Sequence, residues 1–382
     1  MILLNPGPVN VSERVRQALL RPDICHRESE FSDMLQRIQQ KLLTAFVPGA
    51  ESEYVAVILT GSGTAAVESA VMSCLPLGKR MLVLNNGVYG ERLSNMIGLQ
   101  RLGVSELKSE WHVRPDPERL RLALRQHPEV HAVSMVHHET TTGLINPVKE
   151  IAEVVDSLNR VFVLDSVSGL GGEPIDIAGS HIYMAAGTAG KCIQGFPGVS
   201  FVLLRKGFLD RMRKYPKRSW YLTLTHYVDE QGRGIVPFTP AVQVYYAFEE
   251  ALDELLEEGL ANRFQRYRRI ASRIRERMAG MGVQPFLPAD LQSNTISAIF
   301  RPASAMPRCM ISSRPAATSS MPVKGSWNRR SSVSRIWGRS LTPRSMDFWA
   351  PSKKCWRERR RAHESDHPCG RSRQTTLAGD PA

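Results

Sequence analysis

Lys191 lies in an unusual setting, the stretch Met184–Ala185–Ala186–Gly187–Thr188–Ala189–Gly190–Lys191–Cys192–Ile193–Gln194–Gly195–Phe196–Pro197–Gly198. Small residues surround it, with one apolar run before it (181–186) and another after it (199–204). A buried ammonium is costly unless it is paired or neutral, and a lysine kept neutral there is suited to Schiff-base chemistry. A plain solvated lysine on a surface loop is the competing reading of this stretch alone. Three further places bear on the choice. Asp165 stands 26 residues earlier at the end of an apolar run. Gly61–Ser62–Gly63–Thr64 follows the run 55–59 and precedes a helical pattern, and Tyr89 sits in the polar stretch after the run 81–84.

Strand, glycine-rich turn and helix start make a general anion cradle, because free N–H groups and the positive helix end face the same way. An ordinary turn with a Ser/Thr cap has the same signature. Asp165 reads as a turn or helix cap, or as a carboxylate that keeps a pyridine nitrogen protonated. Taken together, an anion cradle, an aromatic side chain for stacking, an acid for a ring nitrogen and an imine-forming lysine specify pyridoxal phosphate. A dinucleotide enzyme is the rival, since Gly61-x-Gly63-x-x-Ala66 is a passable fingerprint. The following strand should then end in Asp or Glu for the ribose, and it ends in Asn85–Asn86.

These residues need a scaffold. Apolar runs of strand length at 55–59, 81–84, 131–137, 161–164 and 199–204 alternate with helical patterns at 12–20, 30–46, 65–74 and 147–158, with Ser12 as a cap. This order predicts an α/β fold with a mostly parallel sheet and helices on both faces. Every polar cluster above falls at strand carboxyl ends, where such sheets bind ligands. Leu3–Pro8 is an extended arm. Thr239–Pro240 opens a long helical region in which Leu260, Phe264, Tyr267, Ala271, Ile274, Met278 and Met281 form one apolar stripe. The seven arginines between them read as a solvated face. A further strand is expected at 294–300, and then the pattern stops.

Of the net charge of +13, residues 301–382 hold 17 Lys+Arg against 5 Asp+Glu, leaving 33 against 32 for the rest. The near-neutral body argues against a nucleic-acid partner. The tail has fourteen Ser, fourteen Arg and four of the six Trp without periodicity, which suggests disorder, a basic arm or a translation of the wrong frame. In favour of the last, Arg335–Ile336–Trp337–Gly338 can be encoded so that a neighbouring frame reads Asn-Met-Gly. The six cysteines show no CxxC and no metal-like spacing, so reduced thiols and no metal are expected. There is no signal peptide and no run of membrane length, so a cytoplasmic protein with no membrane partner is expected.

The stretches LNPGPV, TGSGTAAVE, NNGVYGERL, HHETTTGLINP, VLDSVSGLGGEPID, GKCIQGFPGVSFVL and FTPAVQVYYAFEEAL, in this order over about residues 1–300, resemble the class V aminotransferases of fold type I. Among them the 2-aminoethylphosphonate–pyruvate aminotransferases are most similar; alanine–glyoxylate and serine–pyruvate aminotransferases share the plan. The resemblance implies a pyridoxal phosphate enzyme with Lys191 as the Schiff-base and proton-transfer lysine. It also implies Asp165 on the pyridine nitrogen, Ser62, Gly63 and Thr64 on the phosphate, Tyr89 stacking, and Thr140 near the ring oxygen. Thr239 would touch the phosphate across a dimer interface, so a homodimer is implied, with an amino donor and a 2-oxo acid as substrates. The implied organisation is an arm (1–15), a large cofactor-binding domain (16–245), the start of a smaller α+β domain (246–300) and the tail (301–382). Gly190 departs from the family, which has a polar residue before the lysine. No segment of the tail matches the family's carboxylate-binding arginine, and Cys309 has no assigned role. An inactive cofactor-binding remnant and a basic-tailed interaction protein are the non-enzyme alternatives. With the tail unmatched, the strand at 294–300 is expected to keep an unpaired edge.

Overall fold

The structure, a computed structural model, describes residues 2–300 and two short strands at 318–319 and 331–335. The other tail expectations, including the Asn-Met-Gly reading and Cys309, lie outside the described residues.

Seven strands form the central sheet: β1 (Tyr54–Gly61), β2 (Arg80–Asn85), β3 (Gly103–Lys108), β4 (Val130–Val136), β5 (Val161–Asp165), β6 (Met184–Thr188) and β7 (Gly198–Arg205). Their spatial order is β1-β7-β6-β5-β4-β2-β3. β7 runs antiparallel to both of its neighbours, and the remaining pairs are parallel. The expected mostly parallel sheet is therefore present. It has two strands that the sequence reading did not name as such: β6, noted only as the apolar run before Lys191, and β3. β3 is an edge strand with half-exposed and charged positions, so it carries no apolar run.

Buried strands with helices on both faces must be apolar on both sides, and alternate residues here serve two cores. Leu82, Leu84, Phe162, Leu164, Phe201 and Leu203 pack under α1 (Glu13–Ala18), α2 (Ser29–Phe46), α5 (Pro117–Gln126), α6 (Val148–Ser157) and α9 (Val242–Glu258). Met81, Val83, Val163, Ala186 and Val202 pack under α3 (Gly63–Ser73), α4 (Val88–Leu99), α7 (Leu209–Arg213) and α8 (Leu224–Gln231). In α2, the buried Phe31, Met34, Leu35, Ile38 and Leu42 recur every three or four residues, which is the core-facing stripe of a helix. Ser12 caps α1 as expected, its Oγ accepting from the Val15 N–H at 3.1 Å.

α10 (Leu260–Gly280) carries the expected apolar stripe in part: Tyr267, Ala271 and Met278 are buried, while Met281 beyond its end is exposed. The reading of its arginines as one solvated face is corrected. Arg263 is completely buried, and Arg275 reaches inward to the carbonyl of Ile296 at 3.0 Å. The expected strand is β8 (Ile296–Phe300), and its unpaired edge is corrected as well. β8 pairs antiparallel with β9 (Ser331–Arg335), so backbone groups of the tail satisfy one edge despite its unpatterned side chains. No helix among the described residues is long and apolar enough to cross a membrane.

Candidate active site

The parallel strands end at one sheet edge, and the chemistry gathers there. β5 delivers Asp165; β6 ends at Thr188, and the turn that follows carries Lys191. That turn is closed by Gln194 N–H to Lys191 O and by Gly195 N–H to Ala189 O, both at 2.9 Å. β1 runs into Ser62, the N-cap of α3, and β2 leads through Asn85–Gly87 into α4 with Tyr89 in its first turn. A cavity of about 270 Å³ opens between them, lined by Ser62, Gly63, Thr64, Tyr89, Asp165 and Lys191. Six residues drawn from four separated stretches of sequence thus share one pocket.

Two expected residues lie outside that lining. Thr140 is buried in the turn of the hairpin His138–Glu139/Leu144–Ile145, and Thr239 is exposed just before α9. Among the lining groups that were not expected, two bear on the chemistry. Arg92, one turn after Tyr89 on α4, puts its guanidinium carbon 4.5 Å from the Tyr89 ring centroid. The spacing of Tyr89 and Arg92, three residues apart on one helix, was the available signal. The N-terminal arm is the other: Lys191 Nζ donates to the Pro6 carbonyl at 2.7 Å, and Gly7 and Pro8 line the cavity. A Cβ on Gly7 would stand 2.5 Å from Nζ, and Gly7 has φ +142°, so only glycine lets the arm pass there. Local sequence holds no sign of this contact across more than 180 residues.

Burial raises the Asp165 carboxyl to about 6, opposed by the Val167 N–H bond (3.1 Å) and by the nearby Arg92 and Lys191 charges. Beside the start of α4, Glu139 is fully buried and accepts the N–H of Tyr89 at 3.2 Å and that of Thr141 at 3.1 Å. It supplies α4 with an acidic partner for its orphan N–H groups, which α4's own N-cap does not provide. Gly190, expected to be polar, is packed: a Cβ there would lie 3.1 Å from the Pro197 backbone. Asn86, at the position where a dinucleotide site needs an acid, donates to Val113 O at 3.0 Å and to Asn146 Oδ1 at 2.8 Å.

The family model described as aminotransferase class-V matches residues 16–305. The chain belongs to that family. This class V aminotransferase is 37% identical over 306 residues to a 2-aminoethylphosphonate–pyruvate transaminase of Syntrophobacter fumaroxidans, covering 79% of this chain and 81% of the relative. It is 35% identical to a protein of the same name from Lysinibacillus sphaericus, covering 78% and 82%. Among solved structures, an alanine–glyoxylate aminotransferase from Nostoc superimposes with TM-score 0.84 at 24% identity, covering 92% and 93%; that likeness establishes the fold. The protein is a transaminase of the pyridoxal phosphate-dependent fold type I, and family and fold imply that cofactor.

The residues present fit the group. The Ser62 side chain makes no capping bond to its own helix, and Ser62, Gly63 and Thr64 line the pocket, so the start of α3 can offer N–H groups to a phosphate, although that of Ala65 already bonds the Ser62 carbonyl at 2.8 Å. An acid and a lysine stand in the same cavity, whose volume exceeds the roughly 150 Å³ that admits a benzene ring.

Proposed function

We propose that this transaminase moves the amino group of 2-aminoethylphosphonate to pyruvate, yielding phosphonoacetaldehyde and alanine. The observation that carries the reading is the match, over about four-fifths of the chain, to relatives that bear the name of this reaction. When bound, pyridoxal phosphate supplies an aldehyde that takes up the amino group and a ring that accepts an electron pair. Lys191 holds the cofactor and carries the proton between the amine-bearing carbon and the cofactor C4′. Asp165, as a carboxylate, keeps the ring nitrogen protonated. Ser62, Gly63 and Thr64 bind the phosphate at the start of α3, and Tyr89 covers the ring. Thr239 reaches the phosphate of a second copy, so the working unit is a homodimer.

Amino transfer from 2-aminoethylphosphonate, alanine and serine, each with pyruvate or glyoxylate as acceptor, tests the reading through kcat/KM. A preference of at least about tenfold for 2-aminoethylphosphonate with pyruvate is expected. A clear preference for alanine with glyoxylate, or for serine with pyruvate, would replace it with the related activity. Cofactor binding without turnover of any donor would leave the inactive remnant.

A further inference from the structure

The Lys191 turn is held from behind by α10. Arg263, with no exposed surface, donates through Nη1 to the carbonyls of Cys192 at 3.1 Å and Ile193 at 3.3 Å. Its Nε pairs with Glu258 at 2.7 Å. One helical turn on, the Tyr267 hydroxyl accepts from Gln194 Nε2 at 2.8 Å, and Gln194 has φ +67°. Two side chains of one helix face therefore grip the three residues that follow the lysine.

A guanidinium is suited to this task. Its planar fork can bond two successive carbonyls and still pair with a carboxylate, whereas an ammonium is a point charge on a flexible stem. As a mere core filler it is a poor choice. Nη2 has no partner among the described residues, and an unsatisfied buried donor costs about 1–3 kcal/mol. An apolar pair of similar volume in place of Arg263 and Glu258 together would often be neutral or stabilising. It could not hold the carbonyls.

We propose that Arg263, supported by Glu258, is a positioning residue for the reaction: it fixes the main chain after Lys191 and so sets the approach of Nζ to the cofactor aldehyde. This rests on Lys191 being the attachment point. A backbone displaced by about 1 Å can cost a hundredfold in rate without any loss of binding.

The test uses the full chain and three variants: Arg263→Met, Arg263→Lys and Glu258→Gln. Pyridoxamine 5′-phosphate, which has no aldehyde, reports non-covalent binding. Pyridoxal phosphate followed by borohydride and peptide mapping reports the rate of covalent capture. Arg263→Met and Arg263→Lys should bind pyridoxamine 5′-phosphate within about threefold of the parent, yet capture pyridoxal phosphate roughly ten- to a hundredfold more slowly. The pH midpoint of the visible band should shift with them. Capture rate and midpoint equal to the parent's, even with a lower Tm, would overturn the proposal and leave Arg263 a structural prop. Should neither arginine variant fold, Glu258→Gln decides: slower capture supports the proposal, and parental capture overturns it. Borohydride label on a peptide other than that of Lys191 in the parent would instead refute the attachment reading itself.

Discussion

At the residue, the pocket works through charges whose environments are set by burial. Asp165, raised to about 6, can fill its proposed role at the ring nitrogen only as the carboxylate, so on that reading Asp165→Asn should keep the fold and lose the electron-sink chemistry. We expect kcat to fall by about a hundredfold or more, with Tm unchanged or higher, since a neutral amide avoids burying a charge; unchanged kcat would remove Asp165 from the mechanism. Glu173 offers a separate prediction. It accepts the Asn294 side chain at 2.9 Å and the Asn294 N–H at 2.6 Å, and burial raises its carboxyl to about 8. An unfolded chain releases that proton near its ordinary value of 4.5, well before the folded protein does. Its contribution is therefore complete below about 4.5 and drains away as pH rises towards 8. Thermal melts from pH 5 to 9 should show the parent losing stability more steeply than Glu173→Gln, which cannot ionise. Parallel curves for the two proteins would refute this.

At the element, the start of α3 must come close to β5. A Cβ on Gly63 would lie 2.5 Å from Val167 Cγ1, in the segment that follows Asp165. Gly63→Ala must therefore push α3 and that segment apart, at the place assigned to the phosphate. Affinity for pyridoxal phosphate should drop at least about tenfold, because preorganised N–H groups lose their aim, and equilibrium dialysis checks it; parental affinity would move the phosphate elsewhere. α4 shows the same dependence on a remote partner. Its first turn, which carries Tyr89, is held by Glu139, from the segment after β4, rather than by a cap of its own.

At the scale of the molecule, the two cores under and over the sheet hold the strand ends in register. Phe201 of β7 stacks between Phe46 of α2 and Phe248 of α9, with centroids 6.1 and 6.0 Å away, and it is completely buried. Phe201→Ala should cost about 3–5 kcal/mol, read from denaturant unfolding, through lost burial and the cavity left behind. The ion pairs of α9 with the N-terminal helices are of a different kind. Glu249 is buried and is held by both nitrogens of the Arg37 fork, at 2.7 and 3.2 Å, and by Lys41 at 3.1 Å, which also pairs with Asp253 at 2.7 Å; this network keeps a buried carboxylate paired, and its net worth is set against the cost of desolvating it. A loss under about 1 kcal/mol for Phe201→Ala would show that this core can collapse around the gap.

Much of this protein was legible in one dimension because its central strands are buried on both faces. Runs such as 161–164 and 199–204 could be read as strands, and the polar residues that end them, Asp165 among them, fell where α/β sheets bind ligands. Lys191 stood out because a lysine among Ala, Gly and Thr is chemically conspicuous. What stayed hidden depended on partners distant in the chain. Arg263 repeats the pattern of its solvated neighbours, and only the packing of α10 behind the Lys191 turn turns it inward. The Pro6 carbonyl meets Lys191 because the arm crosses the sheet edge, and Glu139 serves α4 because β2 and β4 are adjacent strands. Edge strand β3 lacked an apolar run because one side of it faces solvent. Local patterns record which residues must be buried or end a strand; which buried groups then meet is set by topology, over separations that no local period can encode.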